Sequence, residues 1–136
     1  MFVINEYYHI YNRGAHKSPI FLDKIDYQRF LYLLYIANSN KPLHFYILKQ
    51  SDAFLCERQD QYVDIVAYCL MPNHFHIAVK EIVEGGISRF VHKLCTAYVM
   101  YYNFKYDHSG TIFQGPYNAK HVDSDGYLLT FTQLPS

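Results

Sequence analysis

Tyr68-Cys69-Leu70-Met71-Pro72-Asn73-His74-Phe75-His76-Ile77-Ala78-Val79-Lys80 runs from an apolar segment through Pro72-Asn73 into an alternation of histidine and apolar residues. A strand has a side-chain period of two, so His74 and His76 share one face while Phe75 and Ile77 share the other. Two imidazoles at neighbouring same-side positions of a stiff strand make half a site for a divalent metal. Such a pair also occurs in strands with no ligand, so the alternation alone does not establish a metal site. Pro72 has no amide proton to give a ladder and belongs in a turn or at the first residue of a strand. Histidines placed where a turn meets a strand are in the usual position for a site.

Working outward, Tyr62 to Met71 reads as a strand and His74 to Glu81 as its antiparallel neighbour across the Pro72-Asn73 turn, or across a wider turn with Tyr62 to Met71 at an edge. Downstream, Gly85-Gly86 opens a helix over about Ile87 to Phe104. Ile87, Phe90, Val91, Leu94, Cys95, Tyr98 and Tyr102 recur there at helical spacing and form a buried stripe. Arg89, Lys93, Thr96 and Asn103 occupy the other side, and His92 reads as a surface or boundary residue. Tyr106 to Gly115 reads as a loop with a short apolar piece, Thr111-Ile112-Phe113. Asp123 suits the cap of a last, two-turn helix from Ser124 containing Tyr127, Leu128, Leu129 and Phe131.

Upstream, Val3 to Asn12 reads as a strand, with Tyr7, His9 and Tyr11 on one face and Tyr8 and Ile10 on the other. Arg13 at its end suits a phosphate contact or a solvated strand-end charge. Asp23 suits the cap of a helix over Lys24 to Asn38, whose apolar face is Tyr27, Phe30, Leu31, Leu34 and Tyr35, with Lys41-Pro42 as its stop. Leu43 to Lys49 is a further strand, and residues 50–61 a loop or irregular hairpin. The resulting order is strand, helix, three strands, helix and a remnant. One antiparallel sheet with both helices on one face buries both apolar stripes at once. The expected fold is therefore an α+β, ferredoxin-like sandwich whose other sheet face stays open.

Composition narrows the function. A chain of 136 residues is expected to form one domain with a real core, and 51% apolar residues place it well away from disorder. Twelve basic residues balance twelve acidic ones, which argues against holding duplex DNA by overall charge and leaves room for a local basic face. Fifteen tyrosines suit interfaces and stacking on exposed bases. Cys56, Cys69 and Cys95 are widely spaced, with no C-x-x-C, and read as free thiols of a cytoplasmic protein. Neither a signal peptide nor a run long enough to span a bilayer is expected.

Tyr8-His9-Ile10-Tyr11-Asn12-Arg13-Gly14, Leu70-Met71-Pro72-Asn73-His74-Phe75-His76, Ser88-Arg89-Phe90 with Tyr98, and Gly110-Thr111-Ile112-Phe113-Gln114-Gly115 together resemble the IS200-like transposase family. They are most similar to its REP-associated tyrosine transposase branch, in the family's order, from about Tyr7 to Thr132. The resemblance implies a ferredoxin-like HUH endonuclease that acts on single-stranded DNA beside a hairpin, usually as a homodimer. It also implies that His74 and His76 hold Mg²⁺ or Mn²⁺ with a polar residue of a C-terminal helix. A tyrosine on that helix attacks the scissile phosphate, giving a 5′-phosphotyrosine and a free 3′-hydroxyl. The covalent bond conserves the energy needed to rejoin strands.

The chain departs from that pattern near its end. Gln133 falls where the resemblance expects arginine and Leu134 where it expects the nucleophilic tyrosine, so residues 1–136 read as a transposase domain incomplete at the C-terminus, with an incomplete metal site and no assigned catalytic residue. Gly115-Pro116-Tyr117-Asn118 replaces the more basic Gly-Arg-Tyr-Lys that the resemblance expects, which leaves Lys120, with Arg13, as a candidate for phosphate contact. Tyr98 and Tyr102 belong to the core stripe, and Tyr101, Tyr117 and Tyr127 do not match the nucleophile's place. Three readings follow: a transposase-like chain defective in cleavage, a non-catalytic module for single-stranded DNA or a hairpin, and a decayed fragment without maintained function. The retained His-x-His pair fits all three.

Overall fold

A computed structural model describes residues 1–40 and 60–123. The expected strand Leu43 to Lys49, Cys56, most of the 50–61 loop and the expected last helix with Tyr127, Gln133 and Leu134 lie outside the described residues. Within them the chain runs β1 (Tyr7–Arg13), a short 3-10 turn (Ala15–Lys17), α1 (Lys24–Ile36), β2 (Val63–Met71), β3 (His74–Glu81), α2 (Gly86–Tyr106) and β4 (Asn118–Val122). The four strands form one sheet in the order β2-β3-β1-β4, antiparallel throughout, with both helices packed on one face. This is the expected ferredoxin-like α+β arrangement.

Alternation sets the faces. Tyr8 and Ile10 of β1 and Phe75, Ile77 and Val79 of β3 point toward the helices and are buried. Phe30 of α1 joins the layers, its ring centroid 5.1 Å from Phe75 and 5.3 Å from Tyr98 of α2. Removing a ring so placed costs about 3–5 kcal/mol, because the cavity cannot fully collapse. The buried side of α2 is Ile87, Phe90, Val91, Leu94, Ala97 and Tyr98, close to the predicted stripe, with Cys95 and Tyr102 only partly buried. In α1 the buried face is rotated from the expected one: Leu33 and Ile36 go inside with Phe30 and Leu34, while Tyr27, Leu31 and Tyr35 are partly buried.

The helix ends are held by side chains. The Asp23 carboxylate accepts the Asp26 amide at 3.0 Å, the predicted N-cap. Asn38, just past α1, donates to the Val63 carbonyl at 2.8 Å and accepts the amides of Tyr62 and Val63, which pins the start of β2. Glu81, the last residue of β3 and 1% exposed, accepts the amides of Gly85 (3.1 Å) and Ile87 (2.6 Å) and so caps α2. Gly86 is required there because a Cβ would lie 2.1 Å from the Tyr62 carbonyl oxygen.

Two sequence expectations need correction. β1 begins at Tyr7 rather than Val3, because Asn5 has φ 71° and the Glu6 amide closes a turn onto the Val3 carbonyl. The segment after Gly115 contains a strand, β4, where only a remnant was expected. Its pattern is exposed at Asn118, Ala119, Lys120 and His121 and buried at Val122, so an edge strand held by backbone pairing to β1 carries no alternation to read.

Candidate functional site

Register places the site. Arg13 pairs with His74, Tyr11 with His76 and His9 with Ala78 across β1 and β3, while Tyr11 pairs with Asn118 and His9 with Lys120 across β1 and β4. Residues directly opposite in an antiparallel pair share a face. His9, Tyr11, Arg13, His74, His76, Asn118 and Lys120 therefore all lie on the sheet face away from the helices. Cys69 of β2, opposite His76, lies there too.

Three segments far apart in sequence meet at one end of this face. The Gly14 amide donates to the Asn73 carbonyl at 2.9 Å, the Ile20 amide to the Pro72 carbonyl at 2.8 Å and the Gln114 amide to the Arg13 carbonyl at 2.9 Å. Asn12, 6% exposed, donates through Nδ2 to the Gly115 carbonyl at 2.9 Å and accepts the Arg13 amide on Oδ1. Gly14 bridges to Phe113. The result is a cleft of about 670 Å³ lined by Tyr11, Asn12, Arg13, His74, His76, Gln114, Gly115, Pro116 and Asn118. Of the predicted site residues, His74, His76 and Arg13 come together in this cleft, whereas Lys120 shares the face without lining it.

The ring nitrogens are oriented by neighbours. His74 Nδ1 lies 2.7 Å from Asn73 Oδ1, and His76 Nδ1 lies 2.6 Å from His9 Nε2. The His9 and His76 ring centroids lie 4.8 Å apart with the rings tilted by 32°, and Tyr11 lies 5.8 Å from His76 in a near-parallel stack. Burial lowers the pKa of His74, and burial followed by the neighbouring His74 lowers that of His76. Burial, then His76 and Lys120, pulls His9 down to about 4. Neutral imidazoles are the form that offers lone pairs to a metal. Two nitrogen donors suit Mn²⁺ better than Mg²⁺, which prefers an all-oxygen octahedron. No cluster of three or more His, Cys, Asp or Glu able to hold a metal exists among the described residues.

The tyrosines of α2 lie on the wrong side of the sheet for this cleft. Tyr98 is fully buried and donates to the Ile20 carbonyl at 2.5 Å; burial, then Asp26 and neighbouring tyrosines, push its pKa up. Tyr101 and Tyr106 donate to Asp26 at 2.6 and 2.5 Å. Asp26, 0% exposed, also accepts Lys105 Nζ at 2.8 Å and the Leu22 amide at 2.8 Å. Burial opposes its charge, but these hydrogen bonds outweigh it and hold the carboxyl at about 2. This buried network ties the two helices together and leaves Tyr101 and Tyr106 committed to structure. Tyr117 is partly buried against the core. Tyr11 is the one tyrosine lining the cleft among the described residues.

Sequence reasoning missed His9, Asn73 and Gln114 as parts of the site. His9 was readable only as a strand residue on the same face as Tyr7 and Tyr11; its contact with His76 spans 67 positions. Gln114 Oε1 accepts Arg13 Nε at 2.5 Å across 101 positions, which no local pattern announces.

A ferredoxin-like sheet with a His-x-His pair on its helix-free face, set in a cleft beside an arginine, defines the class: an α+β protein with a polar cleft on the open face of its sheet. The chain belongs to the family described as Transposase IS200 like, which matches residues 3–133. Among solved structures it is similar to a REP-associated tyrosine transposase bound to a REP hairpin, with a TM-score of 0.64 and 10% identity over 96% of this chain and 64% of that one. It is also similar to a protein of Deinococcus radiodurans R1 assigned as a transposase, with a TM-score of 0.57 and 16% identity over 97% and 89% of the two chains. At these identities the likeness is one of fold, and the chain spans about 64% of the length of the hairpin-bound protein. No curated protein matches the chain. No helix among the described residues is long and apolar enough to cross a membrane.

Proposed function

We propose that this chain engages single-stranded DNA next to a hairpin, holding a divalent cation through His74 and His76 and phosphates through Arg13 and Lys120, without cleaving the strand itself. The observation that carries the reading is the cleft in which His74, His76, Tyr11 and Arg13 meet on the helix-free face. Arg13 is exposed, and its Nε is engaged by Gln114, so its two terminal amino groups remain the donors for a phosphate fork. Tyr11, partly exposed on the floor of the cleft, offers a ring for a base to stack on. Asn118, exposed on β4, adds a polar contact at its rim. When bound, the cation polarises a phosphoryl oxygen. Recognition of a hairpin of the REP kind is part of the same reading, supported by the fold shared with the hairpin-bound transposase, and a homodimer is part of it through the family resemblance alone.

The non-cleaving part of the proposal is supported by Leu134 and Gln133, which stand where the resemblance expects tyrosine and arginine, and by the structural roles of Tyr98, Tyr101 and Tyr106. The test is incubation of the purified chain with labelled single-stranded oligonucleotides that carry hairpins from the flanks of its source locus, with Mn²⁺ present. A gel shift that Arg13→Ala weakens, with no covalent adduct by intact mass, is the expected result. An adduct would overturn the non-cleaving reading, and its mapping to Tyr11 would make that residue a nucleophile. Absence of any shift from a folded protein would remove the DNA-binding reading as well.

A further inference from the structure

We propose that the outward stripe of α2 is a contact surface for a second copy of this chain, the two α2 helices packing antiparallel about a two-fold axis at the level of Tyr98. The inference deepens the homodimer reading by naming its contact, and the DNA-binding reading does not depend on it.

The core uses only one side of α2. On the other, Arg89, His92, Thr96, Met100, Phe104 and Asp107 follow one another at steps of three or four positions, so they share a face, and all six are exposed. Met100 keeps 51% of its surface in water and Phe104 92%. A phenyl ring so placed adds little to the fold and offers its apolar area to a partner. The stripe stands as a ridge with a hollow on each side. One hollow, of about 490 Å³, lies beside Val91, Cys95 and Val99; the other, of about 480 Å³, lies beside Tyr62, Lys93 and Ala97. A ridge flanked by grooves is the surface that receives another helix.

The charges select the occupant. Arg89 lies near the N-terminal end of α2, and Asp107 is its C-cap. Each sits at the end where the helix dipole disfavours its sign. Neither has an ion pair or a side-chain hydrogen bond among the described residues. A second α2 running the other way supplies both missing partners. Arg89 and Asp107 stand nine positions either side of Tyr98, His92 and Phe104 six, and Thr96 and Met100 two. A two-fold pair therefore sets Arg89 against the partner's Asp107, His92 against the partner's Phe104 and Thr96 against the partner's Met100. The symmetry repeats each contact across the axis. A crossing angle of about 20° keeps both ends within reach over the roughly 27 Å between Arg89 and Asp107. The clefts lie on the sheet faces away from the helices and stay outside this contact. A patch one helix wide is smaller than the roughly 800 Å² per partner of a standard interface, so the expected association is in the micromolar range.

Sedimentation velocity of the purified chain, over a series from micromolar to near-millimolar concentration, tests this. A monomer–dimer equilibrium is expected. Phe104→Ser should raise its dissociation constant about tenfold or more, as loss of a central aromatic contact does. Arg89→Asp and Asp107→Arg should each do the same, because either reversal sets like charges together at both ends of the pair. The double variant Arg89→Asp/Asp107→Arg should regain most of the association, a rescue that a folding defect would not give. All three positions are exposed, and circular dichroism melts of the variants are expected to match the unaltered chain. A dimer that none of the substitutions weakens would overturn the inference while the homodimer reading stood. A double variant as weak as either single one would overturn the antiparallel pairing. A chain that stays monomeric throughout the series would overturn both readings and leave the stripe to a different occupant.

Discussion

Gly14 and Asn73, 59 positions apart, are joined by a 2.9 Å hydrogen bond from the Gly14 amide to the Asn73 carbonyl. This bond fastens the end of β1 to the turn that precedes the histidine pair. Ser18 O would lie 2.0 Å from a Cβ at residue 14, so only glycine lets the chain pass this point. Gly14→Ala is expected to destabilise the fold by about 2 kcal/mol or more, the usual scale of forced overpacking. Urea denaturation would show a lower midpoint; an unchanged midpoint would mean that the 15–18 turn moves aside at no cost.

Asp26 and Asp23 differ in what they hold. Asp26 is buried against Lys105, Tyr101 and Tyr106, whereas Asp23 caps α1 and meets Lys105 at 2.7 Å in solvent. Asp26→Ala should cost about 2–3 kcal/mol, since it leaves two hydroxyls and the Leu22 amide without their acceptor while Lys105 keeps Asp23. Asp23→Ala should cost about 1 kcal/mol, mostly the lost cap, because an exposed ion pair contributes little. Equal losses in paired thermal or chemical melts would contradict this assignment.

The same carboxyl predicts an acid limit. Asp26 titrates at about 2 in the folded chain and near 3.9 when unfolded. Between these values the unfolded state binds more protons, so stability falls as pH falls. The contribution is fully present above about pH 5, declines toward pH 2 and is on the order of 2 kcal/mol. Asp26→Asn should flatten stability against pH across that window, which denaturation at a series of pH values would reveal.

Tyr98 separates structure from chemistry. Its hydroxyl donates to the Ile20 carbonyl inside the core. Tyr98→Phe leaves that carbonyl without its donor and should lower stability by about 1–3 kcal/mol. DNA affinity measured on the folded variant should not change. A loss of binding at full folding would place Tyr98 at the site, against its position beneath the sheet.

Arg13 and Lys120 make an ionic-strength prediction. Each phosphate contact on single-stranded DNA steepens the dependence of log binding constant on log salt by about 0.7. Arg13→Ala and Lys120→Ala should each flatten the slope by about that amount, measured by fluorescence anisotropy over a salt series. A parallel loss of affinity with an unchanged slope would point to packing rather than phosphate contact.

Local sequence determined the elements whose signal is periodic or chemical. The two helices, Asp23 as a cap, the β2–β3 hairpin at Pro72-Asn73 and the shared face of His74 and His76 all follow from side-chain period and turn chemistry. The motif segments pointed to the transposase family on their own. Tertiary structure alone decided the rest. β4 buries one residue and is held by its pairing with β1, so no hydrophobic pattern records it. Asp26 looks like an ordinary first-turn acid until α2 brings Lys105, Tyr101 and Tyr106 to it across 75 to 80 positions. His9 becomes part of the site because strand register, a long-range property, sets it 2.6 Å from His76. A period is written into neighbouring residues, whereas a partner contributed by a distant strand is fixed only when the sheet closes.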